Sequence, residues 1–314
     1  MRWYSSLLGA SLALALLVSG CARGGAPASS VTPPASASPA ATFPLTITDD
    51  DGVSVTFSAS PERIVTFAPS ATEILFALGL GDRVIGVSGP YDDYPAAAKQ
   101  IQQIGGPGVD PNIEAVVSLQ PDLFLTYSGD QPWKKQLVDL GIPVFSTNAT
   151  DFTDVLHDIQ TIGRITGASN EAAVLTAGMQ QQADQIQRAV ASEPRVSCFF
   201  ETYYPPLSTV GPNTFIGDLL ERAGCDPVSA SAKSDYPEWS VEALVRENPS
   251  VYLVSSNPGV SLASVAKRPG FDAISAVADG RVSIIDADLV SRPGPRVVDG
   301  LRLLAEALHP NAFE

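Results

Sequence analysis

Three cysteines and two histidines are the side chains of this 314-residue chain best suited to acylation, redox or metal chemistry, and their placing narrows the choice. Cys21 directly follows Val18-Ser19-Gly20, which closes an apolar stretch from Ser6 to Val18 preceded by Arg2. A positive start and an apolar run too short to stay in a bilayer as a helix make a signal peptide. The small residues before Cys21 make a lipobox, so the thiol of Cys21 is read as an acylation site that becomes the new N-terminus after cleavage. Cys198, in RVSCFFE, and Cys225, behind a helical segment, are either a disulfide or two buried thiols in an extracytoplasmic compartment, and their spacing does not choose. His157 lies in a helical segment beside Asp158 and His309 in a terminal His-Pro, so no usual zinc spacing can be assembled. Met179 offers haem no better ligand set. The chain has no GxSxG, GxxxxGK[ST] or GxGxxG run. An enzymatic reading, such as a lipid-anchored hydrolase, therefore lacks a nucleophile and base.

Aromatic and polar groups recur instead where segments end: Tyr91, Tyr94, Tyr127, Trp133, Tyr203, Tyr204, Tyr236 and Trp239. Their faces can stack on a large planar ligand while their polar tips reach an amide rim. Arg292, after the last strand, carries a guanidinium suited to amides or carboxylates. Arg296 opens a helix, where the dipole disfavours a cation, and reads as part of a packing or closed-cleft network. With 34 acidic against 19 basic residues and a net charge of −15, the chain suits neither nucleic acid nor electrostatic adhesion to anionic lipid.

The elements that must hold these groups follow from periodicity. Residues 1–21 are the signal peptide with its lipobox. Residues 22–43, a Pro/Ala/Ser tract, cannot bury enough surface to offset ordering and act as a tether with a reach on the order of 25 Å. Phe43 to Phe57 alternates about Asp50-Asp51-Gly52, a hairpin signal. Strands are expected at 64–67, 84–87, 123–127 and 144–145, with helices at 71–78, 112–119, 133–140 and 152–166 between them. Residues 169–192 lack proline and read as one long helix ended by Pro194. A second series follows, with strands at 196–200, 251–254 and 282–285 and helices at 215–223, 241–246 and 296–308. Strands alternating with helices predict parallel sheets covered on both faces.

An internal repeat ties the halves together: Ile113 to Leu125 aligns without a gap on Val241 to Leu253, with Glu114 on Glu242 and Pro121 on Pro249. The expectation is an α/β chain of two Rossmann-like lobes with parallel sheets, 44–167 and 194–314, joined by one long rigid helix at 168–193, with the ligand cleft between the lobes.

These residues resemble a known family. The runs PERIVTFAPSATEILFALGLGDRVIGVS, YDDYP, NIEAVVSLQPDLFL, ETYYPPLSTVGPNTF, SVEALVRENP and SRPGPRVVDGLRLLAEALHP are similar, in order, to the helical-backbone substrate-binding proteins of iron-siderophore and vitamin B12 ABC importers. The resemblance covers nearly everything from Pro44 to Pro310, with the binding domain at 62–312. It implies a monomeric, non-enzymatic binding protein without a resident cofactor or metal. Its partners would be a small-molecule ligand and a permease dimer with its ATPase subunits, and lipid on Cys21 would hold it outside the cell membrane. Among the family's branches the vitamin B12-binding one is nearest, which implies a transported corrinoid; a ferric siderophore is the alternative on the same scaffold. By resemblance Tyr91, Tyr127 and Tyr236 face a corrin, Asp288 and Arg292 are polar contacts, and Glu114 and Glu242 dock the permease; Tyr204 and Trp239 complete the aromatic candidates. Gly106-Pro107 departs from the pattern, standing where that branch has another stacking tryptophan.

Overall fold

The computed structural model describes residues 42–105 and 110–313. The signal peptide, Cys21, most of the tether and Gly106-Pro107 lie outside them. The alternating N-terminal stretch forms the hairpin β1 (Leu45–Thr48) and β2 (Ser54–Phe57), antiparallel with Leu45 opposite Phe57. Its aspartates do more than turn the chain. Asp49 accepts from the Ser146 amide at 3.1 Å, Asp50 from that of Asn148 at 2.6 Å and Asp51 from that of Gly129 at 2.8 Å. Three carboxylates thus satisfy amides beside the ends of two strands that would otherwise lack a partner. Partial burial alone would raise the Asp51 pKa, but the bonds from Lys134, at 2.6 Å, and the Gly129 amide outweigh it and hold the carboxyl below its usual range.

The first lobe runs β3 (Ile64–Thr66), α1 (Pro69–Ala77), β4 (Val84–Gly86), α2 (Ile113–Leu119), β5 (Leu123–Tyr127), α3 (Pro132–Asp139), β6 (Val144–Thr147) and α4 (Phe152–Ile165). Its sheet has the order β4-β3-β5-β6 and is parallel throughout. The long helix α5 (Ser169–Val190) follows and turns Ala172, Met179, Ala183 and Ile186 inward. The second lobe contains β7 (Val196–Tyr203), β8 (Ser208–Thr209), α6 (Phe215–Arg222), β9 (Cys225–Pro227), α7 (Val241–Glu247), β10 (Val251–Ser255), α8 (Leu262–Ala266), α9 (Ser275–Ala278), β11 (Val282–Ile285), α10 (Ala287–Ser291) and α11 (Val297–Leu308).

The second sheet has the order β11-β10-β7-β8, with β9 also on β7. All pairs are parallel except β7 with β8, which the sequence did not signal; a return after only four residues can pair only in the antiparallel sense. The alternative left open for the two cysteines is decided by β9. It pairs with β7 so that Val196 stands opposite Cys225, and Cys198 and Cys225 are disulfide-bonded with their Cα atoms 5.8 Å apart.

The repeat is a structural repeat. Asn112 caps α2 by accepting from Ala115 N and Ser240 caps α7 by accepting from Ala243 N, each at 3.0 Å. Both helices end on a left-handed residue, Gln120 and Asn248, before Pro121 and Pro249. Val116 and Leu244 are the matching fully buried positions. One contiguous apolar core includes Leu75 and Ile159 of the first lobe, Met179 and Ile186 of α5, and Leu219 and Leu301 of the second. The joint between the sheets is therefore packed, and each lobe keeps a smaller core on its other side.

Candidate functional site

In open parallel sheets a crevice forms beyond the carboxyl ends of the strands where the chain switches sides. In the first sheet that point lies between β3 and β5. Phe67 to Ser70 follow β3, Tyr127 ends β5, and Thr147 to Ala149 close and follow β6; with Ser291, Arg292 and Pro293 from the other lobe they line a crevice of about 240 Å³. A larger surface cavity, about 470 Å³, lies between the hairpin tip and α3, but its Asp49, Asp51 and Lys134 are already bonded to the protein, so they are not free to fix a ligand.

The loop that carries Tyr91 and Tyr94 is pinned by the residue between them. Asp92 is 2% exposed, and its carboxylate accepts from Thr72 Oγ1 at 2.5 Å, Gly89 N at 3.1 Å and Ser88 Oγ. Turning Asp92 inward leaves Tyr91 56% exposed and sends Asp93 and Tyr94 toward the second lobe. There Arg292 Nη1 donates to Glu73 Oε1 at 3.3 Å and to Asp93 Oδ1 at 3.2 Å, while Nη2 lies 2.8 Å from Asp288 Oδ1. Arg296 donates to both oxygens of Glu73, at 2.9 and 2.6 Å, and its guanidinium lies 4.1 Å from the centre of the Tyr94 ring. Those bonds to Glu73 outweigh burial and raise the Arg296 pKa further. Glu73, on the buried face of α1, thus holds two arginines of the other lobe.

A matching cluster sits in the second lobe. Glu201 of β7 is 2% exposed; it accepts two bonds from Arg268 and one from the Tyr252 hydroxyl. Arg268 in turn lies 4.1 Å over the Tyr204 ring. Burial and then the Glu201 charge push the Tyr252 phenol upward, so it stays a donor.

The candidates from the sequence therefore divide. Tyr127 lines the crevice, 39% exposed and stacked on Phe67 at 6.2 Å. Partial burial, then the Asp110 carboxylate, raises its phenol pKa. Tyr236 is 63% exposed as a residue, yet partial burial of its phenol and then Asp235 raise that pKa as well. Tyr204 and Trp239 instead pack on the second lobe's core, edge-on to Phe271 at 5.8 Å and against Phe199 at 6.3 Å. The indole N–H groups of Trp133 and Trp239 are buried and have no hydrogen-bond partner among the described residues. Asp288 and Arg292 are paired with each other. Glu114 and Glu242 are exposed in the first turns of α2 and α7.

Sequence reasoning missed Glu73, Asp92, Asp93, Glu201 and Arg268. A signal for Glu73 existed, since a lone carboxylate in the apolar run Ala71 to Leu75 must find a cation. Among the described residues no group of three or more His, Cys, Asp or Glu could hold a metal ion, and no helix is long and apolar enough to cross a membrane.

The family described as periplasmic binding protein matches residues 64–289. An uncharacterized ABC transporter substrate-binding lipoprotein of Bacillus subtilis, YvrC, is 36% identical over 281 residues, 87% of this chain and 88% of its own. A cobalamin-binding protein of Halobacterium salinarum is 35% identical over 287 residues, 88% of this chain and 77% of its own. The solved structure of an ABC-type Fe3+-hydroxamate transport system from Saccharomonospora viridis superposes with a TM-score of 0.71 at 29% identity, covering 85% of this chain and 100% of that one. The chain belongs to the periplasmic binding protein family: it is a substrate-binding protein of the ABC-importer kind and not an enzyme.

Proposed function

We propose that this protein is the lipid-anchored, extracytoplasmic receptor of an ABC importer, and that it captures a corrinoid and hands it to a permease dimer with its ATPase subunits. The observation that carries the reading is the exposure of Tyr91, Tyr127 and Tyr236, at 56, 39 and 63%, after Trp133, Trp239 and Tyr204 have been taken into the packing. Solvent-facing rings at segment ends suit the faces and amide rim of a macrocycle. The cobalamin-binding relative supports the same ligand class. The iron-hydroxamate relative supports the second reading, a ferric siderophore.

Calorimetry of the full chain with cobalamin, cobinamide, haem and ferric siderophores decides between them. With a corrinoid bound, changing any one of the three tyrosines to Ala is expected to weaken binding by about 0.5–1.5 kcal/mol beyond lost contact area. Tight binding of a ferric siderophore with no heat from any corrinoid transfers the protein to the second reading. The anchor rests on Cys21 alone. Cys21→Ala is expected to lose all labelling by a palmitate analogue, and equal labelling of the variant would end the lipoprotein reading.

A further inference from the structure

We propose that Asp93 and Asp288, with Glu73 behind them, quench the arginine of the cleft and so select a ligand without net negative charge. The inference rests on the crevice between the lobes being the ligand site. Among the described residues that line it, Arg292 is the one cation. Its side chain is 10% exposed, and a guanidinium so enclosed would be the natural attractor for an anionic ligand. Glu73 cannot neutralise it alone, because that carboxylate is shared with Arg296, which takes both of its oxygens. Glu73 with the two arginines would leave one positive charge over. Asp93 and Asp288 reverse the balance: two guanidiniums then face three carboxylates.

The geometry separates structural from selective work. Glu73 is 2% exposed and serves as the buried counter-ion, whereas Asp93 and Asp288 are 43 and 40% exposed and meet Arg292 from the solvent side. An incoming carboxylate or catecholate would have to displace one of them or approach a cluster with one negative charge in excess. The Asp110 carboxylate adds the same sign beside the crevice, since after partial burial it further raises the phenol pKa of Tyr127, which lines it. Neutral amides meet no such barrier and can still accept from guanidinium hydrogens.

The test uses two pairs of ligands that differ in charge: cobinamide, whose rim carries amides, against cobyrinic acid, whose rim carries carboxylates, and a ferric hydroxamate against a ferric catecholate. Calorimetry of the full chain is expected to show at least about tenfold tighter binding of the less anionic member of the pair that binds. Asp93→Asn with Asp288→Asn is expected to move the affinity ratio toward the anion by about tenfold, with the gain shrinking as salt is raised. Asp93→Asn alone, on a loop already pinned by Asp92, is expected to move it in the same direction by less.

A wild-type protein that binds the anionic member equally well, or variants that leave the ratio unchanged, would overturn the proposal. Preference for the hydroxamate over the catecholate with no corrinoid binding would remove the corrinoid reading and keep charge selection. Binding of both corrinoids without preference would do the reverse.

Discussion

Reversing the two repeated glutamates, Glu114→Arg with Glu242→Arg, is expected to abolish uptake and permease binding while ligand affinity and melting temperature stay near their original values. The caps of α2 and α7 are already made by Asn112 and Ser240, so the glutamates are not needed to satisfy the helix ends. What they add to each helix is a dipole contribution of about 0.3–1 kcal/mol, smaller where the residue is exposed. Both sit one residue into a helix of the same length, in the same register, in lobes built on the same helix–proline–strand unit. Such a pair presents one negative charge from each lobe, which suits a two-fold partner with a basic pocket on each subunit. Losing one partner of a buried interfacial charge pair costs about 2–5 kcal/mol, so losing both should lower uptake by at least about a hundredfold. Pull-down with permease-containing vesicles, calorimetry with the ligand and a thermal melt read the three quantities separately. Transport at the original rate would reduce the two residues to helix starts.

Removing the carboxylate of Glu73 is expected to have the largest effect on stability. Glu73→Ala leaves Arg296 without its ion pair and Arg292 with only Asp93 and Asp288, and taking one partner from a buried ion pair costs about 3–5 kcal/mol. The lower end of that range applies, because Arg296 is 19% exposed and Arg292 keeps two carboxylates. Glu73→Gln, which retains an acceptor but no charge, should fall between the variant and the original chain. Denaturant unfolding followed through the tryptophans gives the difference directly. The bond joins α1 to the segment around α10 and α11, so looser lobes should also show as faster amide exchange in both segments. A Glu73→Ala protein as stable as the original would mean that the arginines find other partners and that the lobes are joined by the apolar core alone.

The features legible in the sequence are those set by neighbours along the chain. Strand and helix alternation, the hairpin about Asp50-Asp51-Gly52 and the long helix depend on period and on Gly and Pro placement, which act over a few residues. The repeat was legible for the same reason: Asn112 and Ser240 cap, and Pro121 and Pro249 break, by local chemistry. Tyr127, which ends β5, belongs to this class, because the end of a strand is itself a local property.

Pairings between residues far apart in the chain needed the tertiary structure. Glu73 meets Arg292 and Arg296 from more than two hundred positions away, so nothing near it in the chain names its partner. Cys198 reaches Cys225 only because β9 returns beside β7. Tyr204 and Trp239 look like Tyr91 and Tyr236 as residue types, yet Arg268, Phe271 and Phe199 claim their faces. Burial and electrostatics are sums over all neighbours in space, and in this chain two of the three carboxylates that set the cleft's charge, Glu73 and Asp93, come from the lobe opposite Arg292.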